Sequence, residues 1–113
     1  MLVYRYEWPD EQGPYRWEVY DLSRKLYAMK QAHQDDEHPG HQDYPDSWGV
    51  EHNDMRAACA SIQQLKQWFK GYNAELIRQG FYMVELEVSH VEYGISGRQC
   101  RFHIDDVISQ RIL

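Results

Sequence analysis

Alternation of apolar and polar positions opens the chain. Leu2, Tyr4, Tyr6 and Trp8 fall on one face and Val3, Arg5 and Glu7 on the other, the period of two that predicts a β-strand, and Pro9 stops it. Pro9 to Pro14 is turn chemistry, after which Tyr15 to Tyr20 reads as a short continuing strand. Asp21 is placed to cap a helix from Leu22 to about Gln31, with Leu22, Leu26 and Met29 on one stripe. The next stretch, to Asn53, is polar and punctuated by Pro39-Gly40, Tyr44-Pro45-Asp46 and Trp48-Gly49. It predicts a long loop at about 31–54, and so many residues without regular structure imply a functional segment folded onto the rest.

Helical spacing dominates the middle of the chain. Met55 to Ala60 is a short apolar run, and Ser61 then stands three residues before Gln64, the capping-box spacing that opens a helix. Ile62, Leu65, Trp68 and Phe69 recur on its apolar stripe to about Lys70. Gly71 breaks it, and a second short helix from Asn73 to Gln79 is closed by Gly80 as a left-handed C-cap. Phe81 to Val88 alternates again, with Tyr82, Val84, Leu86 and Val88 inward and Met83, Glu85 and Glu87 outward. Arg98 to Ile104 completes a closing antiparallel pair with it, and Asp105 or Asp106 caps a terminal helical turn. These elements, outside any βαβ rhythm, predict an α+β fold: an antiparallel sheet, two or three short helices and the long loop, in one domain over residues 1–113.

Composition and charge narrow the partners. The net charge of −6 disfavours non-specific nucleic-acid binding, which needs an excess of Lys and Arg on one face. An aromatic share of 14% exceeds what a minimal core needs, so some rings are expected to line a surface or cleft. Cys59 and Cys100, the two cysteines, both fall in apolar strand-like runs and read as buried free thiols. Without a signal-peptide pattern, an apolar run of membrane length or a lipidation motif, the expectation is a cytoplasmic protein that does not engage a membrane.

Candidate chemistry is sparse. His33, His38 and His41 sit among Asp35, Asp36, Glu37 and Asp43 in the loop, with His52 and Asp54 nearby; imidazoles and carboxylates are ligands for zinc, manganese or nickel, yet the spacing matches no defined site. Ser61 has no nucleophile elbow around it, and a cap explains a serine there. Glu85 and Glu87 are placed to balance Arg98 or Arg101 across a sheet. Gly94-Ile95-Ser96-Gly97 is too short for a phosphate-cradling loop and precedes a strand.

Several pieces together carry a resemblance. Val3-Tyr4-Arg5, Gly13-Pro14-Tyr15, Asp35 to Pro39, the helix from Ala60-Ser61 to Trp68-Phe69, Gly80-Phe81 leading into Val84 to Val88, and Gly97-Arg98-Gln99 with Phe102 resemble, in order, a family of small uncharacterised tailed-phage and prophage proteins. The resemblance implies phage origin and host bacterial cytoplasm, and no activity. That arrangement is distantly similar to the ADP-ribosyltransferase fold of bacterial toxins, in its arginine-serine-glutamate class, where the sheet is split. The likeness implies that Arg5 contacts the phosphates of NAD, Ser61 shapes a nicotinamide pocket, and Gln99 stands where the catalytic glutamate would be. A neutral Gln99 removes the carboxylate that such catalysis needs. Two functions follow as expectations: a non-catalytic accessory protein that binds a host or phage protein through the 31–53 loop, or a degenerate transferase-like protein that binds or processes NAD or a related nucleotide with Arg5, Ser61, Gln99 and His38.

Overall fold

A computed structural model describes residues 1–44 and 54–113. Two three-stranded antiparallel sheets and four α-helices make up the described chain, so the α+β expectation holds. The first sheet has the order β1–β3–β6, from β1 (Leu2–Glu7), β3 (Tyr82–Val88) and β6 (Val107–Ile112). The second has the order β2–β5–β4, from β2 (Met55–Ala58), β5 (Cys100–His103) and β4 (Glu92–Tyr93). A single bridge joins them, Tyr4 and Cys59 exchanging two backbone hydrogen bonds of 2.8 Å.

This joint gives β1 a buried surface on both sides. Tyr6, with Tyr4 and Trp8 beside it, packs into a cluster with Val19, Leu26, Met29, Leu65, Phe69 and Leu76 of the helices. Val3 faces the other way, into a cluster with Ala58, Val84, Leu86, Cys100 and Phe102 between the sheets. Arg5 and Glu7 share the Val3 face by strand alternation and are 5% exposed each.

Four expectations need correction. Tyr15 to Tyr20 is no strand: Trp17–Leu22 forms α1, the helix beyond the expected two or three. The following helix, α2 (Arg24–Ala32), is capped by Ser23, not Asp21, because the Ser23 hydroxyl accepts from the Leu26 N–H at 3.2 Å while Asp21 lies in the last turns of α1. The segment after Asp106 is strand β6, not a helical turn. Its addition to β3 means that β3 does not pair with β5; β3 sits between β1 and β6, and β5 between β2 and β4.

Ser61 caps α3 (Ile62–Trp68) as its spacing implied, accepting from the Gln64 N–H at 3.1 Å, while the Gln64 side chain accepts from the Ala60 N–H at 3.2 Å. Gly80 closes α4 (Asn73–Arg78) with φ of +97°. The two helical pairs are tied through buried Glu75: Ser23 Oγ donates to its carboxylate at 2.7 Å, and Arg78 and Gln79 donate at 2.7–3.0 Å. Both cysteines are free and buried. The described part of the 31–54 loop is folded down: α2 continues to Ala32 and a 3₁₀ turn spans His41–Asp43. The turns expected at Pro45-Asp46 and Trp48-Gly49, and His52 beside the candidate ligand cluster, lie outside the described residues.

Candidate functional site

A cavity of about 640 Å³ opens where the sheets part. Its described wall combines β1, the turn at residues 12–16, His33, the segment at 38–40, β2, the inner side of α3 and Gln99. Its size falls within the usual few-hundred to roughly 1,000 Å³ of small-ligand sites.

Strand β1 supplies the charged end. Arg5 reaches the cavity because the Tyr4–Cys59 bridge directs its strand face inward, and the Ala57 carbonyl accepts from Nη1 at 3.1 Å. Nε lies 3.2 Å from Glu7 Oε2 but off the line of a hydrogen bond. Nη2 abuts Gly13, where a Cβ would sit 3.0 Å away, so glycine lets the turn cross the guanidinium. Burial lowers the Arg5 pKa to about 10, with Glu7 opposing the shift and nearby Arg56 adding to it. Burial raises the Glu7 pKa, against the pull of Arg5. Arg16, Arg56 and Glu18 join Arg5 on the described wall. Arg16 is partly neutralised by Asp10 at 2.5 Å and Glu18 at 3.3 Å.

Aromatic groups form the other end. Trp68 Nε1 donates to the Tyr15 hydroxyl at 2.8 Å, and that hydroxyl lies 2.5 Å from His33 Nδ1. With Trp68 donating, the Tyr15 hydroxyl is free to donate to His33 Nδ1, an arrangement that suits a neutral His33 with its proton on Nε2. Burial first, and the facing His38 second, hold the His33 pKa down to about 4. Shelter of its hydroxyl between Trp68 and His33 raises the Tyr15 pKa, although the residue as a whole is half exposed. The rings of His33 and His38 stack at 3.7 Å, 11° from parallel. His38 places Nδ1 2.7 Å from Asp35 Oδ1 and Nε2 2.7 Å from the Trp68 carbonyl, so both its nitrogens are engaged and it clamps the 35–40 segment to α3.

The sequence candidates therefore divide. Arg5, His38 and Gln99 line one cavity; Ser61 is not among the described lining residues and spends its hydroxyl on the cap. Gln99 Nε2 donates to the Pro39 carbonyl at 2.7 Å and to Asp43 Oδ2 at 3.2 Å, holding the 39–43 segment down. Asp43 also accepts from the Ser96 N–H and hydroxyl at 2.7 and 2.8 Å, and a Cβ on Gly94 would overlap its carboxylate. Among the described residues no group of three or more His, Cys, Asp or Glu is placed to hold a metal. Stacked His33 and His38 cannot converge on one ion, because imidazole lone pairs lie in the ring planes and these planes are parallel. His41 lies in the 3₁₀ turn at 41–43. Sequence reasoning missed Tyr15, Arg16 and Arg56 as lining residues and placed Trp68 and Phe69 in the core alone.

The sequence profile of a family described as Bacteriophage T4 Y00F protein matches residues 1–112. The chain belongs to that family. The phage resemblance is therefore correct. No curated protein and no solved structure matches the chain, and the transferase resemblance gains no support from these comparisons. For this Y00F-family protein, no helix among the described residues is long and apolar enough to cross a membrane.

Proposed function

We propose that this phage protein acts by binding, not catalysis, and that its cavity takes a small anionic ligand with a planar ring, of the nucleotide class, in the host cytoplasm. One observation carries the reading: the Arg5 side chain is 6% exposed, its Nε has no hydrogen-bond partner, and its guanidinium lines a cavity whose far wall is aromatic. A buried guanidinium is a natural phosphate donor, and Tyr15, Trp68 and Phe69 offer surface to a base. Arg5, Arg16 and Arg56 on the described wall offer guanidinium donors to an anion in a protein of net charge −6. NAD and ADP-ribose fall within this class. Against transfer chemistry, Gln99 is neutral and His38 has no nitrogen left for a base.

Titration calorimetry with ADP, NAD, ADP-ribose and uncharged adenosine tests it. The expected result is binding of the phosphorylated compounds that weakens with salt, with adenosine far weaker. Equal binding of adenosine, or none of any of them, discards the reading.

A second reading, docking on a host or phage protein, is supported by the outer surface of α1 and α2. Trp17, Leu22 and Tyr27 are 63%, 65% and 46% exposed, with Lys30 Nζ 4.0 Å over the Trp17 ring. Exposed tryptophan and tyrosine suit an interface anchor. Crosslinking in infected cells separates the readings: a partner recovered with the native chain and lost with Trp17→Ala/Tyr27→Ala supports docking, and equal recovery discards it.

A further inference from the structure

Strand β6 lies at the outer edge of the β1–β3–β6 sheet, and among the described residues no strand lies beyond it. Five of its six residues are exposed, Ile108 and Ile112 at 65% and 61%. Proteins usually blunt such an edge with lysine, proline or inward charges. From Ile108 to Ile112, I-S-Q-R-I, this edge has neither lysine nor proline. The register to β3 passes from Ser109 opposite Glu87 to Val107 opposite Val88, so Ile108 is the extra residue of a bulge at the start of the strand.

The backbone says which groups stand free. Leu113 N–H donates to the Met83 carbonyl at 2.9 Å. In an antiparallel ladder the hydrogen-bonded positions alternate, so Arg111 and Ser109 also turn their N–H and C=O toward β3. Gln110 and Ile112 turn theirs outward.

We propose that β6 pairs with β6 of a second copy of this chain, antiparallel about a two-fold axis through Gln110, to give a continuous six-stranded sheet. A two-fold normal to the sheet keeps each face on its own side, so its axis must pass through a residue and not between two. Centred on Gln110, the axis makes the two Gln110 residues exchange both backbone hydrogen bonds. It sets Arg111 opposite Ser109 twice and brings the bulged Ile108 beside Ile112 at each end of the seam. Arg111, paired at 3.2 Å with Glu85 of its own chain, then faces a position whose β3 neighbour is Glu87, so the charges across the seam are complementary. Centred on Ser109, the strand would instead bring Ile108 beside Gln110 and Val107 beside Arg111, and the free groups of Ile112 would go unused. The occupant that matches both the free hydrogen-bonding groups and the apolar positions is the strand itself.

The test is sedimentation equilibrium of the full chain over a range of concentrations, with a crosslinking arm for register. Ser109 and Arg111 of facing strands form a non-hydrogen-bonded pair in this arrangement, with Cα atoms about 4.5 Å apart, within disulfide range. A concentration-dependent dimer is expected. Mixed Ser109→Cys and Arg111→Cys chains should crosslink on mild oxidation, while neither does so alone. Ile108→Lys/Ile112→Lys, at exposed positions, should keep the native circular dichroism and weaken dimerisation roughly tenfold or more through loss of both Ile108–Ile112 contacts. Gln110→Pro should act likewise, since it removes an outward N–H and leaves the ladder to β3 intact. A monomer at every concentration overturns the proposal, even one whose β6 captures a different polypeptide. So does a dimer that is indifferent to the lysine pair or crosslinks equally in either single variant.

Discussion

The Arg5 guanidinium and the Glu7 carboxylate approach to 3.2 Å on one face of β1, each side chain 6% exposed. Two residues apart on a strand, they share a face, and that face looks into the space where the two sheets part. Neither group is fully satisfied: Arg5 Nε and Glu7 Oε1 have no hydrogen bond. An ion pair so placed is weak evidence of stabilisation, because desolvation offsets much of its Coulombic gain. Its retention on a cavity wall is the physical reason to assign Arg5 a binding role.

Arg5→Ala should therefore cost about 3–5 kcal/mol, since it strands a buried carboxylate. Arg5→Met/Glu7→Gln should fold with stability near or above the native chain, because it removes both charges. Nucleotide affinity should be lost in the double variant as well. Urea denaturation and calorimetry on the same preparations check the pair of outcomes; a well-folded double variant with native affinity would falsify the role of Arg5.

Replacing Gln99 by Glu should not create a transferase. The amide nitrogen faces the Pro39 carbonyl at 2.7 Å and the Asp43 carboxylate at 3.2 Å, so a carboxylate there meets acceptors only. Gln99→Glu should lower stability by about 1–3 kcal/mol and raise hydrogen-exchange rates in residues 39–44, with no NAD hydrolysis. Unchanged exchange in that segment would show that the amide is not its anchor.

Ser61→Ala separates capping from ligand contact. Loss of its bond to the Gln64 N–H should cost about 1 kcal/mol, typical of an N-cap serine, while nucleotide affinity stays native. A drop in affinity beyond the stability change would return Ser61 to the pocket.

What was legible in the sequence follows from how local each signal is. The Ser61–Gln64 cap, the Gly80 stop and the β1 and β3 alternations depend on neighbours in sequence, and each is where its pattern put it. Asp21 and Ser23 are both good caps, and only the presence of α1 upstream decides between them. β6 reads V-I-S-Q-R-I, with its polar residues bunched in the middle; pairing to β3 makes it a strand, and that is a tertiary fact. Arg5 and Glu7 look like the solvated face of an amphipathic strand. Their burial depends on a bridge from Tyr4 to Cys59, 55 residues away, which no local period encodes. The cavity's aromatic end was hidden for a different reason: Trp68 and Phe69 satisfy the helical stripe, and nothing in the stripe tells a core ring from one at the edge of a recess.

Acid should destabilise the protein in two successive windows with separate causes. His33 is held down to about 4, from an unfolded value of about 6.5. Below about 6.5 the unfolded chain takes up a proton that the folded chain refuses, so stability falls as pH drops from there toward about 4. Glu75 is held down to about 2, first by its bond from Arg78 and then by Ser23 and Gln79. Its contribution is complete above the ordinary glutamate value of about 4.3 and is lost as pH falls from there through about 2. Urea midpoints measured against pH at constant m-value resolve the two. His33→Gln, which still offers Tyr15 an acceptor but does not titrate, should flatten the upper window and leave the lower one. Glu75→Gln should be less stable at neutral pH and flatten the lower window alone. If His33→Gln leaves the slope between pH 6.5 and 4 unchanged, His33 is not what senses acid there.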